Sequence, residues 1–147
     1  MLKKLIPVAV ITALFGCSST IPPEVRSEAS KVLTPGCMDL LGNVAYQKRS
    51  RDILTMNPVF AITRGTENGK PVMTCGASFS TAAISGLNAS HALSTCEQGR
   101  ENFMVDHPKA VMQPCEIYMI GNDIVLGTDR ANTVRDEVTS KGQKNQQ

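Results

Sequence analysis

Apolar and polar positions divide this chain into a series of short segments. Residues 5–15 form an almost unbroken apolar run behind Met1-Leu2-Lys3-Lys4. Such a run is about half the roughly 20 residues needed to cross a bilayer, so the pattern reads as a secretory leader, removed after export. Pro22-Pro23 then precede Glu24, and proline in a first turn predicts a helix over residues 24–33. Pro35-Gly36 ends it, and apolar residues at 37, 41, 44 and 45 predict a second helix to about residue 52.

The next segments read as strands. Residues 58–63 and 71–75 are rich in strand formers and flank Gly65-Thr66-Glu67-Asn68-Gly69, a predicted hairpin. Ala82, Ala89, Ala92, Leu93 and Cys96 fall within roughly 100° of one another on a helical wheel, which predicts a helix over 80–98 laying a stripe of small residues on a sheet. After Pro108 and Pro114, residues 115–120 form a strand, Gly121-Asn122-Asp123 a turn, and 124–126 a return strand. Polar residues dominate from Gly127 to Gln147, and a mobile tail is expected there. The fold class is therefore α+β: N-terminal helices, then a small antiparallel sheet in a ββαβ-like order. The divisions are a leader at 1–16, a tether at 17–22, one domain at 23–126 and a tail at 127–147.

The end of the leader carries a more specific pattern. Leu14-Phe15-Gly16-Cys17 resembles the lipobox of bacterial lipoproteins, with Phe15 a bulky departure at the tolerant position. The resemblance implies cleavage before Cys17, a diacylglyceryl thioether on its sulfur, and an added acyl chain such as palmitate on its new amino group. Two or three chains give stable anchoring where one does not. Ser18 follows the cysteine instead of the aspartate that favours inner-membrane retention, which implies the outer membrane, lipid-anchored and facing the periplasm.

Charge and cysteine count then change the picture. The chain has 15 basic and 13 acidic side chains, but Lys3 and Lys4 leave with the leader, so the mature chain is about neutral. Nothing electrostatic then points to nucleic acid. Lys48, Arg49 and Arg51 read as a solvated helix face or loop rather than a phosphate or lipopolysaccharide contact. There are five cysteines. With Cys17 assigned to lipid, Cys37, Cys75, Cys96 and Cys115 can pair completely, as expected of a small domain outside the reducing cytosol, in any of three connectivities. Zinc is the competing reading, but there is no C-x-x-C, and only His91 and His107 could assist. No metal and no cofactor are expected. Aromatic residues make up 4% and tryptophan is absent, so the core is modest and cross-links matter most.

Residues 58–126 also resemble, loosely, small cysteine-paired modules of exported proteobacterial proteins whose activity is not established. The likeness rests on the order strand, glycine turn, strand, helix with Ala92-Leu93-x-x-Cys96, then Cys115-x-Ile117-Tyr118-x-Ile120-Gly121-Asn122. It implies a Cys96–Cys115 bridge, which leaves Cys37 and Cys75 for each other by elimination.

Catalytic candidates are scattered. Ser90 and His91 are neighbours on a predicted helix, where adjacent side chains point about 100° apart and form no dyad. His107 lies beside Asp106 in a predicted loop, and Glu116 and Asp123 flank the last hairpin, a pair that could in principle serve glycan hydrolysis. Asn88-Ala89-Ser90 is a glycosylation sequon without meaning in a bacterium. No catalytic residues are assigned. The expected role is a non-catalytic envelope lipoprotein: a protein-binding accessory or structural module. The alternative is a periplasmic inhibitor or immunity lipoprotein acting against a cell-wall-degrading or toxic enzyme. A glycan binder fits less well, because sugars are usually stacked on aromatic rings.

Overall fold

The structure is a computed structural model that describes residues 21–50, 58–78 and 85–144. The leader, Cys17 and the tether as far as Thr20 lie outside the described residues, as do Arg51, Ala82 and the side chains of Lys48 and Arg49. Among the described residues are four helices and a five-stranded antiparallel sheet, an α+β fold.

Helix α1 spans Pro23–Ala29. Pro23 occupies its first position, where the missing N–H would have had no helical partner, and Pro22 O accepts from Arg26 N at 3.0 Å. Helix α2 spans Pro35–Ser50, also opens on proline, and buries Cys37, Leu41 and Val44 along one stripe. The expected tether ends earlier than residue 22. Ile21 is only 5% exposed and packs in one core with Ala29, Leu33, Cys37 and Leu41, so burial of its side chain carries the fold back to residue 21.

Strands β1 (Val59–Glu67) and β2 (Lys70–Ser78) form one long hairpin whose register runs from Val59↔Ser78 to Glu67↔Lys70. The loop is only Asn68-Gly69, both at positive φ (50° and 76°), the pattern of a type I′ turn. Gly65 and Thr66, expected in the turn, instead sit in β1 and pair with the two-residue strand β3 (Val111–Met112). A Cβ on Gly65 would come within 2.8 Å of the Met112 Cα, so glycine there admits the neighbouring strand rather than a turn.

Helix α3 runs from Ser85 to Asp106, well past the expected end near Gln98. Gly99 does not stop it: a single glycine costs about 1 kcal/mol in a helix, which packing over β2 outweighs. The chain leaves the helix at His107-Pro108, where the residue before proline is steered away from helical geometry. Strands β4 (Glu116–Ile120) and β5 (Asp123–Ile124) complete the sheet through a Gly121-Asn122 turn, in the order β2-β1-β4-β5, with β3 on the same side of β1 as β4.

Residues 129–144 correct the expected mobile tail: Asp129–Lys144 is helix α4. Ala131 is buried, and Val134 and Val138 pack against the core beside α3, a stripe of spacing three and four hidden within a polar composition. Thr128 marks its start, with Thr128 Oγ1 accepting from Ala131 N at 3.4 Å.

Two cores lie on opposite faces of the sheet. Phe60, Ile62, Tyr118 and Met119 pack with Ile21, Ala29, Leu33, Cys37 and Leu41 beneath α1 and α2. Val59, Ala61, Ile117 and Ile120 pack with Ala89, Ala92, Cys96 and Ala131 beneath α3 and α4. Strand β1 serves both by simple alternation. Strand β4 cannot: the register shifts between Phe60↔Met119 and Ala61↔Ile117, leaving Tyr118 as the extra residue of a bulge. The shift sends Tyr118 and Met119 together into the first core. One disulfide fastens each helical layer to the sheet. Cys37–Cys75 joins α2 to β2 with Cα atoms 5.9 Å apart, and Cys96–Cys115 joins α3 to the start of β4 with Cα atoms 6.2 Å apart.

Candidate functional site

The line of strands β3 and β4 beside β1 is broken. Residues 113–115 separate β3 from β4, and Pro114 lacks the N–H a continuous strand would use. The break is held on both sides: Gln113 N donates to Arg64 O at 2.9 Å, and the Thr63 hydroxyl donates to Gln113 O. Cys115 turns inward to its bridge, and its N–H donates to Glu97 Oε1 at 2.6 Å, while Glu97 Oε2 accepts from Arg100 Nε at 2.6 Å. Glu97 therefore secures the backbone at the disulfide.

Outside this break lies a cleft of about 220 Å³ lined by Arg64, Gln113, Pro114, Cys115, Glu116 and Arg135. A smaller recess of about 30 Å³ adjoins it, sharing Glu116 and Arg135 and reaching Asn132 and Gly127. Strand β1 supplies Arg64, β4 supplies Glu116, and α4 supplies Arg135, so the cleft exists only once α4 has docked. Arg64 Nη2 donates to Glu116 Oε2 at a long 3.5 Å, with both side chains about half exposed. Arg135 has its neighbour Asp136 at 3.6 Å, also exposed. Exposed pairs of this kind contribute little, from nothing to about 1 kcal/mol. Each guanidinium has five N–H donors, more than these single contacts use. The lining itself holds two guanidiniums and one carboxylate, with Asp136 just outside it beside Arg135, and paired guanidinium N–H donors suit a carboxylate or another planar oxyanion.

A second polar cluster ties the far end of α3 to the hairpin tip. His107 Nδ1 lies 3.0 and 3.1 Å from the two Glu67 oxygens, and the Phe103 ring stacks on the imidazole with centroids 4.1 Å apart and planes 8° from parallel. This is a clasp between elements. Asp106 is exposed beside it.

The other candidates are dispersed. His91 is exposed and Ser90 half-buried on α3. Asn88 of the sequon is buried, with Ser78 Oγ 3.5 Å from its Oδ1. Asp123 pairs with Arg130 at 3.0 Å. It stands opposite Ile120, four residues beyond Glu116 along β4. At about 3.3 Å per residue that separates the two backbones by roughly 13 Å along the strand, and Asp123 does not line the cleft that holds Glu116. Among the described residues no three His, Cys, Asp or Glu side chains are grouped to hold a metal, and no helix is long and apolar enough to cross a membrane.

Of the cleft residues, only Glu116 and Cys115 stood out in the sequence. Arg64 and Arg135 did not, because they come together from positions far apart in the chain. The signal for Arg135 is the stripe Ala131, Val134, Val138, which predicts a docked helix with Arg135 beside its buried face. No protein-family model, curated protein or solved structure matches this chain.

Proposed function

We propose that the chain is an outer-membrane lipoprotein, anchored through Cys17, that acts without catalysis by binding an acidic segment of an envelope protein partner in the cleft between Arg64 and Arg135. The observation that carries this reading is the cleft itself: two half-exposed guanidiniums, each with one loosely placed acidic neighbour, stand beside a strand break that is fixed by a disulfide and by Glu97. Exposed Val111 of β3, two residues before Gln113, adds an apolar side chain to the same stretch of chain. The cysteine balance supports the anchor. Four sulfurs are spent on two bridges, so the fifth, Cys17, is the one left for lipid.

Cross-linking in the native host, followed by purification through the full chain, tests the binding role. One reproducible envelope partner is expected, and Arg64→Glu with Arg135→Glu should lose it while leaving the melting temperature unchanged. A partner recovered equally by that double variant overturns the cleft as its site. Hydrolysis of glycan or peptide by the purified protein, abolished by Glu116→Gln, overturns the non-catalytic reading. Palmitate labelling that is lost in Cys17→Ser tests the anchor.

A further inference from the structure

We infer that the domain rides directly on its membrane with the α1/α2 layer nearest the lipid, because the burial of Ile21 leaves almost no tether between fold and anchor. This rests on the lipid-anchor reading above. Ile21 is 5% exposed and packs in one core with Ala29, Leu33, Leu41 and Tyr118. Only Ser18, Ser19 and Thr20 separate it from Cys17. Even fully extended, four residue steps span about 14 Å. A flexible linker of about 30 residues would give a root-mean-square reach of roughly 30 Å.

The thioether holds Cys17 at the level of the lipid headgroups, so Ile21 cannot leave that neighbourhood without unfolding its end of the core. Ile21 belongs to the layer of α1 and α2, whereas α3 and α4 pack on the opposite face of the sheet. A sheet and a helix of about 10 Å diameter therefore stand between the pinned layer and the outer surface of α3. Electrostatics does not set this orientation. Among the described side chains of this layer the exposed charges are Glu24, Arg26, Glu28, Lys31 and Asp39, two basic and three acidic, so they do not draw this surface to anionic lipid. The partner is consequently met at the membrane surface and not across the periplasm.

The test uses the chain from Cys17 onward, which contains every described residue. With the other four cysteines bridged, the Cys17 thiol is the one free to couple to a maleimide lipid in nanodiscs, and the geometry is then tested whether or not the host acylates it. Amide signals are recorded with a gadolinium-chelating lipid in the bilayer. Signals of residues 22–33 should be lost to paramagnetic broadening while those on the outer faces of α3 and α4 persist, equally in neutral and in anionic lipid. Inserting a Gly/Ser spacer of roughly 20 residues after Ser19, about 25 Å of root-mean-square reach, should abolish the contrast. Equal broadening of both layers without the spacer overturns the inference, as does a contrast that survives it. Failed palmitate labelling in the host would instead remove the lipid-anchor reading and leave the geometric result standing.

Discussion

Tyr118 brings a hydroxyl into an apolar core: the phenol oxygen is buried without a hydrogen-bond partner among the described residues, while its ring packs edge-on against Phe60 at 6.2 Å. Burial, and secondarily the charge of Glu28, raise its pKa above the ordinary 10.0. The folded state therefore holds the phenolic proton more tightly than the unfolded chain. This contribution is fully present below pH 10.0, the unfolded value, and is lost as pH rises through the folded pKa. Tyr118→Phe should add about 1 kcal/mol at neutral pH and flatten the alkaline loss, as read from urea unfolding at a series of pH values. Gly76 shows the reverse dependence on a missing atom. A Cβ there would stand 2.6 Å from Ala92 O, since α3 crosses β2 at this point, whereas a Cβ on Gly42 of α2 meets nothing within 4 Å. Gly76→Ala should destabilise by about 1–3 kcal/mol through overpacking. Gly42→Ala should stabilise by roughly 0.5–1 kcal/mol through helix propensity, and a common sign for the two in urea midpoints would contradict the close approach.

At the scale of elements, legibility follows the strength of local signals. The stripe at 37, 41 and 44 predicts α2, and Asn68-Gly69 predicts a hairpin, because each depends on a few neighbouring residues. The exact turn is harder to read: Gly65 looks like turn chemistry, yet it lies in β1 to let β3 approach, a reason visible only in three dimensions. Strand β3 is two residues long and has no pattern to read. Helix α3 outruns its sequence signal because packing on β2 carries it past Gly99. Helix α4 was obscured by the polar residues around Ala131, Val134 and Val138, although its apolar spacing is regular. The site shared that fate. Arg64 and Arg135 come from β1 and α4, so their proximity depends on the docking of the helix hardest to read.

For the molecule as a whole, the three-layer arrangement means that each disulfide guards a different interface. Cys37–Cys75 closes a separation of 38 residues and holds the α1/α2 layer, while Cys96–Cys115 closes 19 and holds α3. Chain entropy assigns them about 4 and about 3 kcal/mol respectively, each a large share of the roughly 5–15 kcal/mol of a typical domain. Replacing Cys37 and Cys75 by alanine should therefore cost more than replacing Cys96 and Cys115. Hydrogen exchange should rise first in α2 for the former pair and first in α3 for the latter. Identical exchange patterns for the two variants would mean that the layers are not separately fastened.

The two covalent loops also follow one another along the chain without interlocking. If Cys17 is taken up by lipid as proposed, a polypeptide threading N-terminus first into an oxidising space presents Cys37, Cys75, Cys96 and Cys115 as its free thiols in that order. An oxidase joining each newly arrived thiol to the one still unpaired would make both native links at first attempt. In that setting maturation of the domain would call for an electron acceptor but not for a shuffling isomerase.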